Sequence, residues 1–279
     1  MAHHLTVWLI RSSSLLNAQG PEMYRRLLDS IVTPLRDAEN QQRAFLLSED
    51  ARRVDWEVIA VLLTAAVTLT TGHYAIAGGS SIEWLLDPAR VGAEFARRAH
   101  WAILHIVAYA VIPFLVIRLL RGRSLRDYGI GFRRALPLWW VYVLMYLVML
   151  PCVLYLSADA SFQRTYPFYR LEEGEPFWPR LIVWEMLYGV QFLALEFFYR
   201  GFLLHGTKRR FGAYAILVMT VPYCLIHFGK PLPETLGSIV AGLALGFMSL
   251  KTGSIWPGAI LHAAVAWTMD AAALYQRMH

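Results

Sequence analysis

The chain has 279 residues, of which 57% are hydrophobic and 16% are charged, and its mean hydropathy is +0.42. Soluble domains carry about 25% charged residues, and one water-soluble core cannot bury this much apolar surface, so the excess must face lipid. The net charge of +6 does not indicate a nucleic-acid partner, because the basic residues form short clusters between apolar runs. That pattern is typical of loops that flank membrane spans.

The first fifty residues are the most polar part of the chain. Apolar residues recur there at intervals of three and four, from Met23 to Leu35, which predicts an amphipathic helix. Residues 5–10 are apolar but too short and wrongly flanked for a signal peptide. Residues 1–53 are therefore expected to form a cytoplasmic or interfacial segment, and residues 54–279 the membrane domain.

Seven apolar stretches follow, most of them near the ~20 residues that a helix needs to cross ~30 Å of hydrocarbon. They cover residues 57–77, 101–120, 136–156, 181–205, 212–228, 235–250 and 255–275. The expected fold is all-α, a polytopic membrane helix bundle with about seven transmembrane helices. The 235–250 stretch is short and rich in glycine and alanine, which suits close helix packing.

The distribution of arginine and lysine predicts the orientation. One basic loop follows the second stretch and another, at residues 208–210, follows the fourth, so both are expected in the cytoplasm. The loop between the third and fourth stretches is acidic at residues 172–175 and is assigned to the outer side. Arg90, Arg97 and Arg98, assigned to the first outer loop, argue mildly the other way. The prediction is an integral protein of the cytoplasmic (inner) membrane with its N-terminus inside.

Four ionisable residues inside the apolar stretches stand out, because a charge at the bilayer centre costs about 2.5–3.5 kcal/mol or more. Glu196 and Arg200 are four residues apart, so they share a helix face as an ion pair. His227 and His262 lie on the fifth and seventh stretches. Counting ~1.5 Å per residue from the neighbouring loops gives comparable depths, so one carboxylate and two imidazoles are expected to converge on one cavity.

Structural interpretations compete with the functional ones. A Glu/Arg pair at this spacing is more often a clasp than a catalytic device, and a single buried histidine usually binds a backbone carbonyl. His105 and His205 are interpreted as structural, whereas Asp270 and Glu185 are candidates for secondary site members. Zinc is the weaker interpretation, because two histidines four apart with an adjacent glutamate are absent. No cofactor and no metal are expected.

A series of short motifs runs through the second half of the chain. They are Leu195-Glu196-Phe197-Phe198-Tyr199-Arg200-Gly201, Tyr223-x-x-x-His227, Gly242-Leu-Ala-Leu-Gly246, Thr252-Gly253-Ser254 ahead of His262, and, before the third stretch, Arg126-Asp-Tyr-Gly129-Ile-Gly131. In order and spacing the series resembles the CPBP superfamily over about residues 120–270. That superfamily contains the type 2 CAAX prenyl proteases and bacteriocin-processing or immunity proteins.

The resemblance implies a glutamate-dependent intramembrane endopeptidase that acts within the lipid bilayer. Its substrate would be a membrane-tailed peptide or protein, cleaved near the membrane end. Carried over by position, the family's roles imply that Glu196 and His227 activate water and that His262 stabilises the oxyanion. Arg200 would hold Glu196 in position.

Two positions depart from the family pattern. Leu195 stands where the motif has its first glutamate, usually assigned as the water activator, and Ala266 stands where asparagine or aspartate is typical. Either Glu196 takes over the base role, with Asp270 one turn beyond Ala266 assisting His262, or the chain is a non-catalytic membrane scaffold or immunity factor. A proton-coupled transporter is a third hypothesis, disfavoured because no inverted repeat or paired broken helices are evident.

Overall fold

The computed structural model describes residues 22–76, 92–120, 122–171 and 178–278. These residues form helices and no β-strand, with one isolated bridge between Ile130 and Ser254. The predicted all-α membrane fold is confirmed. The apolar stretch at 5–10, the acidic loop at 172–175 and Arg90 of the first outer loop lie outside the described residues.

Eleven α-helices occur in the described ranges. In chain order they are α1 (Glu22–Leu46), α2 (Trp56–Thr71), α3 (Ala93–Ile106), α4 (Ile112–Leu119), α5 (Trp139–Leu156), α6 (Ala160–Thr165), α7 (Arg180–Glu196), α8 (Leu204–Phe211), α9 (Ala215–Leu225), α10 (Leu232–Thr252) and α11 (Trp256–Met278). A π-helical turn at Val107–Val111 joins α3 to α4, and another at Phe197–Leu203 joins α7 to α8. Each pair is therefore one continuous helical run.

Five helical runs in the described part of the chain are long and apolar enough to cross a membrane. They are Trp56–Tyr74, Ala93–Leu119, Leu136–Leu156, Arg180–Leu225 and Leu232–Thr252. The count of seven is not confirmed. One reason is that the run Arg180–Leu225 contains both the fourth and the fifth predicted stretches, which meet at the turn around Gly212. The other is that α11 is not among the five runs.

The second predicted stretch begins earlier than expected, at Ala93 rather than at residue 101. Arg97 and Arg98 therefore lie inside α3 and not in a loop, which corrects their assignment. Both guanidinium groups pair with Glu94, with N–O distances of 2.9 Å and 2.7 Å. The Glu94 carboxylate, three and four residues away on the same face, offsets both positive charges. Helix α3 therefore continues through a segment that the sequence analysis assigned to a loop.

The basic loops meet at one end of the bundle, called here the basic end (residues 50–57, 120, 122–134 and 208–212). The link is Glu57, at the start of α2. Its carboxylate accepts hydrogen bonds from Arg123 Nε (2.9 Å to Oε2) and from the Tyr128 hydroxyl (2.8 Å to Oε1). In the second basic loop, Arg209 Nη2 lies 3.8 Å from Oδ2 of Asp55, two residues before Glu57. The sequence analysis assigned the two basic loops to one side, and these contacts agree with that grouping.

Helix α1 packs against the basic end. The side-chain amide of Gln42 donates a hydrogen bond to the backbone oxygen of Arg210 over 2.8 Å. The guanidinium carbon of Arg209 lies 4.3 Å from the centroid of the Phe45 ring. The helix predicted for the N-terminal segment is thus present over Glu22–Leu46 and is attached to the bundle.

The centre of the bundle is occupied by α7 and the π-helical turn that follows it. All seven residues of that turn are buried, and the α7 rings of Trp184 and Tyr188 stack with centroids 5.1 Å apart. By contrast, α5 buries only Tyr142 and Val153 and exposes most of its apolar side chains, as a lipid-facing helix does. The central position of α7 places Glu196 away from lipid.

The small residues of α10 permit the close packing that the sequence predicted. A Cβ atom added to Gly242 would lie 2.7 Å from Thr220 Cγ2, and one added to Gly246 would lie 2.8 Å from Met219 Cε. Both neighbours are on α9. The branched Thr220 side chain cannot move away as the end of Met219 can, so glycine at 242 in particular lets α9 and α10 approach this closely. This packing sets the position of His227 beyond the end of α9.

Candidate active site

Glu196 and Arg200 form the buried ion pair that their spacing predicted. Arg200 Nη1 donates to Glu196 Oε1 over 2.8 Å, and both side chains are 1% exposed. Glu196 ends α7, and Arg200 lies in the π-helical turn. Two full charges are therefore held in an apolar interior, where each depends on the other for compensation.

His262 contacts the same carboxylate oxygen. Its Nδ1 lies 3.0 Å from Glu196 Oε1. One turn earlier on α11, a Cβ atom added to Gly258 would lie 3.1 Å from Glu196 Oε2. The glycine lets α11 pass close to the carboxylate, and among the described residues Oε2 has no hydrogen-bond partner. Oε1 of Glu196 thus contacts both Arg200 and His262, whereas Oε2 has no hydrogen-bond partner among the described residues.

Tyr223 connects this cluster to the fourth predicted residue. The Arg200 guanidinium carbon lies 3.9 Å from the centroid of the Tyr223 ring, a cation–π contact. The same ring has its centroid 4.8 Å from that of His227 and 6.2 Å from that of His262. The sequence analysis named Tyr223 only as the first residue of the motif Tyr223-x-x-x-His227. Its position one turn before His227 was the signal that it lines the same site.

His227 joins the cluster through Tyr223 rather than through Glu196. Its Nδ1 lies 2.8 Å from the backbone oxygen of Tyr223, and the side chain is buried. Within the described ranges no hydrogen bond joins His227 to Glu196. Of the four predicted site residues, Glu196, Arg200 and His262 are in direct contact, and His227 lies beside the ring that borders them.

The segment of the chain that contains the four site residues matches a known protein-family model. Residues 161–268 match the family model described as Type II CAAX prenyl endopeptidase Rce1-like. Residues 161–268 form an Rce1-like domain. The resemblance inferred from the motifs is confirmed over this segment, which contains all four predicted site residues. No curated protein and no solved structure matches the chain.

The family match and the apolar helical runs together make this an integral membrane protein with the domain of a protease family. The Rce1-like domain extends from α6 into α11. It leaves α1 to α5 outside, including the basic loop after the second predicted stretch.

Behind the site, a chain of hydrogen bonds supports the π-helical turn of the Rce1-like domain. Lys208 Nζ lies 3.0 Å from His205 Nδ1, His205 Nε2 lies 3.1 Å from Ser249 Oγ, and Ser249 Oγ donates to the backbone oxygen of Arg200 over 3.1 Å. An ammonium group only donates, so Nδ1 accepts and Nε2 carries the hydrogen. Every bond therefore points from the basic end toward Arg200, and His205 has the structural role expected for it.

The other polar residues singled out from the sequence lie elsewhere. His105 Nδ1 is 2.8 Å from a backbone oxygen one turn earlier, the structural role expected for it. Asp270 Oδ1 accepts a hydrogen bond from the backbone N–H of Phe168 over 2.9 Å. Among the described residues Asp270 has no hydrogen bond with His262, so the idea that it assists that histidine has no support in the contacts.

The two positions that depart from the family pattern lie in the apolar core. Leu195 and Ala266 are both buried, and both belong to the main cluster of core side chains. Leu195 directly precedes the site carboxylate, yet it packs as a hydrophobic residue. The site of this chain therefore contains one carboxylate where the family motif has two.

No group of three histidine, cysteine, aspartate or glutamate side chains in the described part of the chain is arranged to hold a metal ion. Cys152 is exposed and Cys224 is half-buried, and both are free thiols. The candidate site is thus an arrangement of one carboxylate, one guanidinium and two imidazoles.

Proposed function

We propose that this chain is an intramembrane endopeptidase that cleaves a membrane-tailed peptide or protein near its membrane end. The observation that carries the proposal is the state of Glu196, a buried carboxylate whose Oε1 is held by Arg200 and His262 while Oε2 has no hydrogen-bond partner among the described residues. The Rce1-like match supports a protease in general. The role of Glu196 as the base is the part that we propose from this geometry.

In the proposed mechanism, Glu196 and His227 activate water together. His227 Nδ1 faces a backbone oxygen, which can only accept, so Nδ1 carries the hydrogen and Nε2 of the neutral ring offers a lone pair. Glu196 Oε2 is the second acceptor. Between them they take a proton from water and direct its oxygen at the scissile carbonyl, a role worth roughly 10²–10⁴ in rate.

His262 is proposed to stabilise the oxyanion. Its Nδ1 contacts a carboxylate oxygen and so carries a hydrogen. When Nε2 is also protonated, the ring donates from Nε2 to the oxyanion, whose negative charge balances that of the imidazolium. The His262 side chain is 15% exposed, against 1% for Glu196, so the imidazole is the more accessible of the two to a bound peptide.

The remaining steps follow from the same contacts. Arg200 fixes Oε1 of Glu196 and leaves Oε2 for the water. As the tetrahedral intermediate collapses, the C–N bond breaks and the proton taken from water passes to the leaving amine. The products are a new carboxylate and a new amine, with no covalent enzyme intermediate.

The basic end is proposed to face the cytoplasm, with α1 at the membrane surface. Short loops rich in arginine and lysine are retained on that side, and α1 is attached to one of them through Arg210. The N-terminus would then be inside and the membrane the inner membrane. Substrate would enter laterally between helices, because its anchored end cannot leave the bilayer.

A non-catalytic scaffold or immunity factor is the second candidate, favoured by the apolar packing of Leu195 and Ala266. In that case Glu196 is only a clasp for Arg200. Neutralising Glu196 leaves the Arg200 charge without compensation under either candidate, so abundance does not distinguish them. The rate of cleavage per folded molecule does.

The experiment compares Glu196→Gln and His227→Ala with the wild-type chain in membranes, measuring cleavage of a membrane-tailed peptide and the accumulation of folded protein. The control is Glu49→Gln, since Glu49 is an exposed carboxylate paired with Arg52 and lies outside the cluster. We expect both site variants to lose cleavage per folded molecule and the control to keep it. Unchanged cleavage in both site variants would refute the proposal.

A further inference from the structure

A cavity of about 430 Å³ lies at the basic end, away from the candidate active site. Its lining includes Arg53, Asp55, Trp56, Glu57, Arg123 and Arg209. The volume falls within the roughly 300–1,000 Å³ typical of small-molecule sites. The run Trp56–Tyr74 begins here and the run Ala93–Leu119 ends here, which places the cavity at the depth of lipid headgroups.

One carboxylate oxygen in the lining lacks a donor. The Asp55 side chain is 7% exposed, and its Oδ1 caps α2 by accepting from the backbone N–H of Val58 over 3.3 Å. Its Oδ2 has no hydrogen-bond partner among the described residues. The guanidinium nitrogen Arg209 Nη2 is 3.8 Å away, beyond hydrogen-bond length. An unsatisfied buried acceptor is costly, and a ligand that carries an N–H group would supply the missing donor.

The neighbouring carboxylate is already occupied. Glu57 accepts from Arg123 and from the Tyr128 hydroxyl. Burial raises the pKa of the Tyr128 phenol, and the charge of Glu57 raises it further, so the phenol keeps its proton and remains a donor. An incoming cation therefore finds its acceptor at Asp55 and not at Glu57.

The lining also offers a positive group for an anion. Arg53 is exposed and has no ion pair within the described ranges. Across the whole cavity three carboxylates, from Asp50, Asp55 and Glu57, face three guanidinium groups. Opposite charges in equal number suit a ligand that carries both signs better than a simple anion.

The rim of the cavity is apolar. Trp56 is 70% exposed, and Val54, which also lines the cavity, is 57% exposed. Tryptophan is enriched where a membrane protein meets the headgroup region. A ligand with a charged head and hydrocarbon chains satisfies both the lining and the rim.

From these contacts we propose that the basic-end cavity binds the headgroup of a zwitterionic phospholipid that carries a primary ammonium group, as phosphatidylethanolamine does. The ammonium group donates to Asp55 Oδ2 and the phosphate lies against Arg53. A choline headgroup has no N–H to donate, and a glycerol headgroup has no positive charge. Selectivity for the primary ammonium is thus the distinguishing property.

The test measures lipid binding to the full-length protein in detergent by native mass spectrometry, with phosphatidylethanolamine, phosphatidylcholine and phosphatidylglycerol as probes. We expect phosphatidylethanolamine to bind about tenfold more tightly than the other two, the size of one charge-assisted hydrogen bond. Equal binding of the three lipids would overturn the proposal. Soluble phosphoethanolamine should compete only weakly, and competition as strong as that of the lipid would overturn the assignment to a membrane lipid.

Two variants locate the site. Asp55→Asn keeps a side-chain oxygen that caps α2 but removes the charge. The affinity for phosphatidylethanolamine should therefore fall to that for phosphatidylcholine. Arg53→Gln should weaken all three phospholipids alike, whereas the matched control Arg52→Gln, an exposed residue paired with Glu49, should not. Retained selectivity in Asp55→Asn, or identical binding by Arg53→Gln and Arg52→Gln, would contradict the assignment.

Discussion

Removal of the Arg200 charge is the change whose effect on the free energy of unfolding the structure constrains best. Arg200→Gln leaves Glu196 as a carboxylate that is 1% exposed, with His262 as its remaining contact. Breaking a buried pair in this way costs roughly 3–5 kcal/mol. An ordinary hydrogen bond between membrane helices is worth only about 0.6 kcal/mol on average and about 1.7 at most. A loss of free energy of unfolding above about 2 kcal/mol therefore indicates an uncompensated charge.

The assay is equilibrium unfolding in mixed micelles, with Arg134→Gln as the matched control. Arg134 is an exposed arginine of the basic end, and surface changes of this kind are usually within about 0.5 kcal/mol. The double variant Glu196→Gln with Arg200→Gln removes both charges, so it should be more stable than Arg200→Gln alone. A loss below about 1 kcal/mol for Arg200→Gln, or a double variant less stable than the single one, would refute the reasoning.

Three further outcomes follow from the contacts. Tyr223→Phe keeps the ring under Arg200 and should change the free energy of unfolding by less than about 0.5 kcal/mol, whereas Tyr223→Leu should lose about 2 kcal/mol in the same unfolding assay. Ser249→Ala removes the donor to the Arg200 carbonyl, so it should cost about 1 kcal/mol and lower the rate of cleavage in a kinetic assay. In a background without the native cysteines, a thiol at Ala158 should react with an impermeant reagent from outside and one at Arg134 should not, and equal labelling would overturn the orientation.

The parts of the site that depend on local spacing could be predicted from the sequence. Glu196 and Arg200 pair because residues four apart share a helix face. The close approach of α9 and α10 follows from the glycines at 242 and 246, since small residues permit it. Counting residues from the loops was sufficient to bring His262 to the depth of Glu196, since helical rise is constant.

The parts that depend on tertiary contacts could not be predicted. Tyr223 lies under Arg200 because of how α9 packs against the π-helical turn, and nothing in its own neighbourhood specifies that. The early start of α3 depends on Glu94, whose carboxylate offsets two arginines that a hydropathy scan counts as loop residues. The direct contact of His262 with Glu196 depends on Gly258, one turn earlier on α11, because this glycine lets α11 pass close to the carboxylate. That constraint is visible only once α7 and α11 are in place.

Cleavage by the purified protein in proteoliposomes is the most direct test of the central claim, that Glu196 activates water without a metal. The probe is a library of quenched fluorescent peptides anchored by an apolar helix or a lipid, assayed in H₂¹⁸O with a strong chelator present. We expect wild-type protein to cleave and to place one ¹⁸O in the new carboxylate, and Glu196→Gln, folded to the same extent, to leave the peptides intact. Cleavage by Glu196→Gln at the wild-type rate, or activity that chelation removes and zinc restores, would contradict the account.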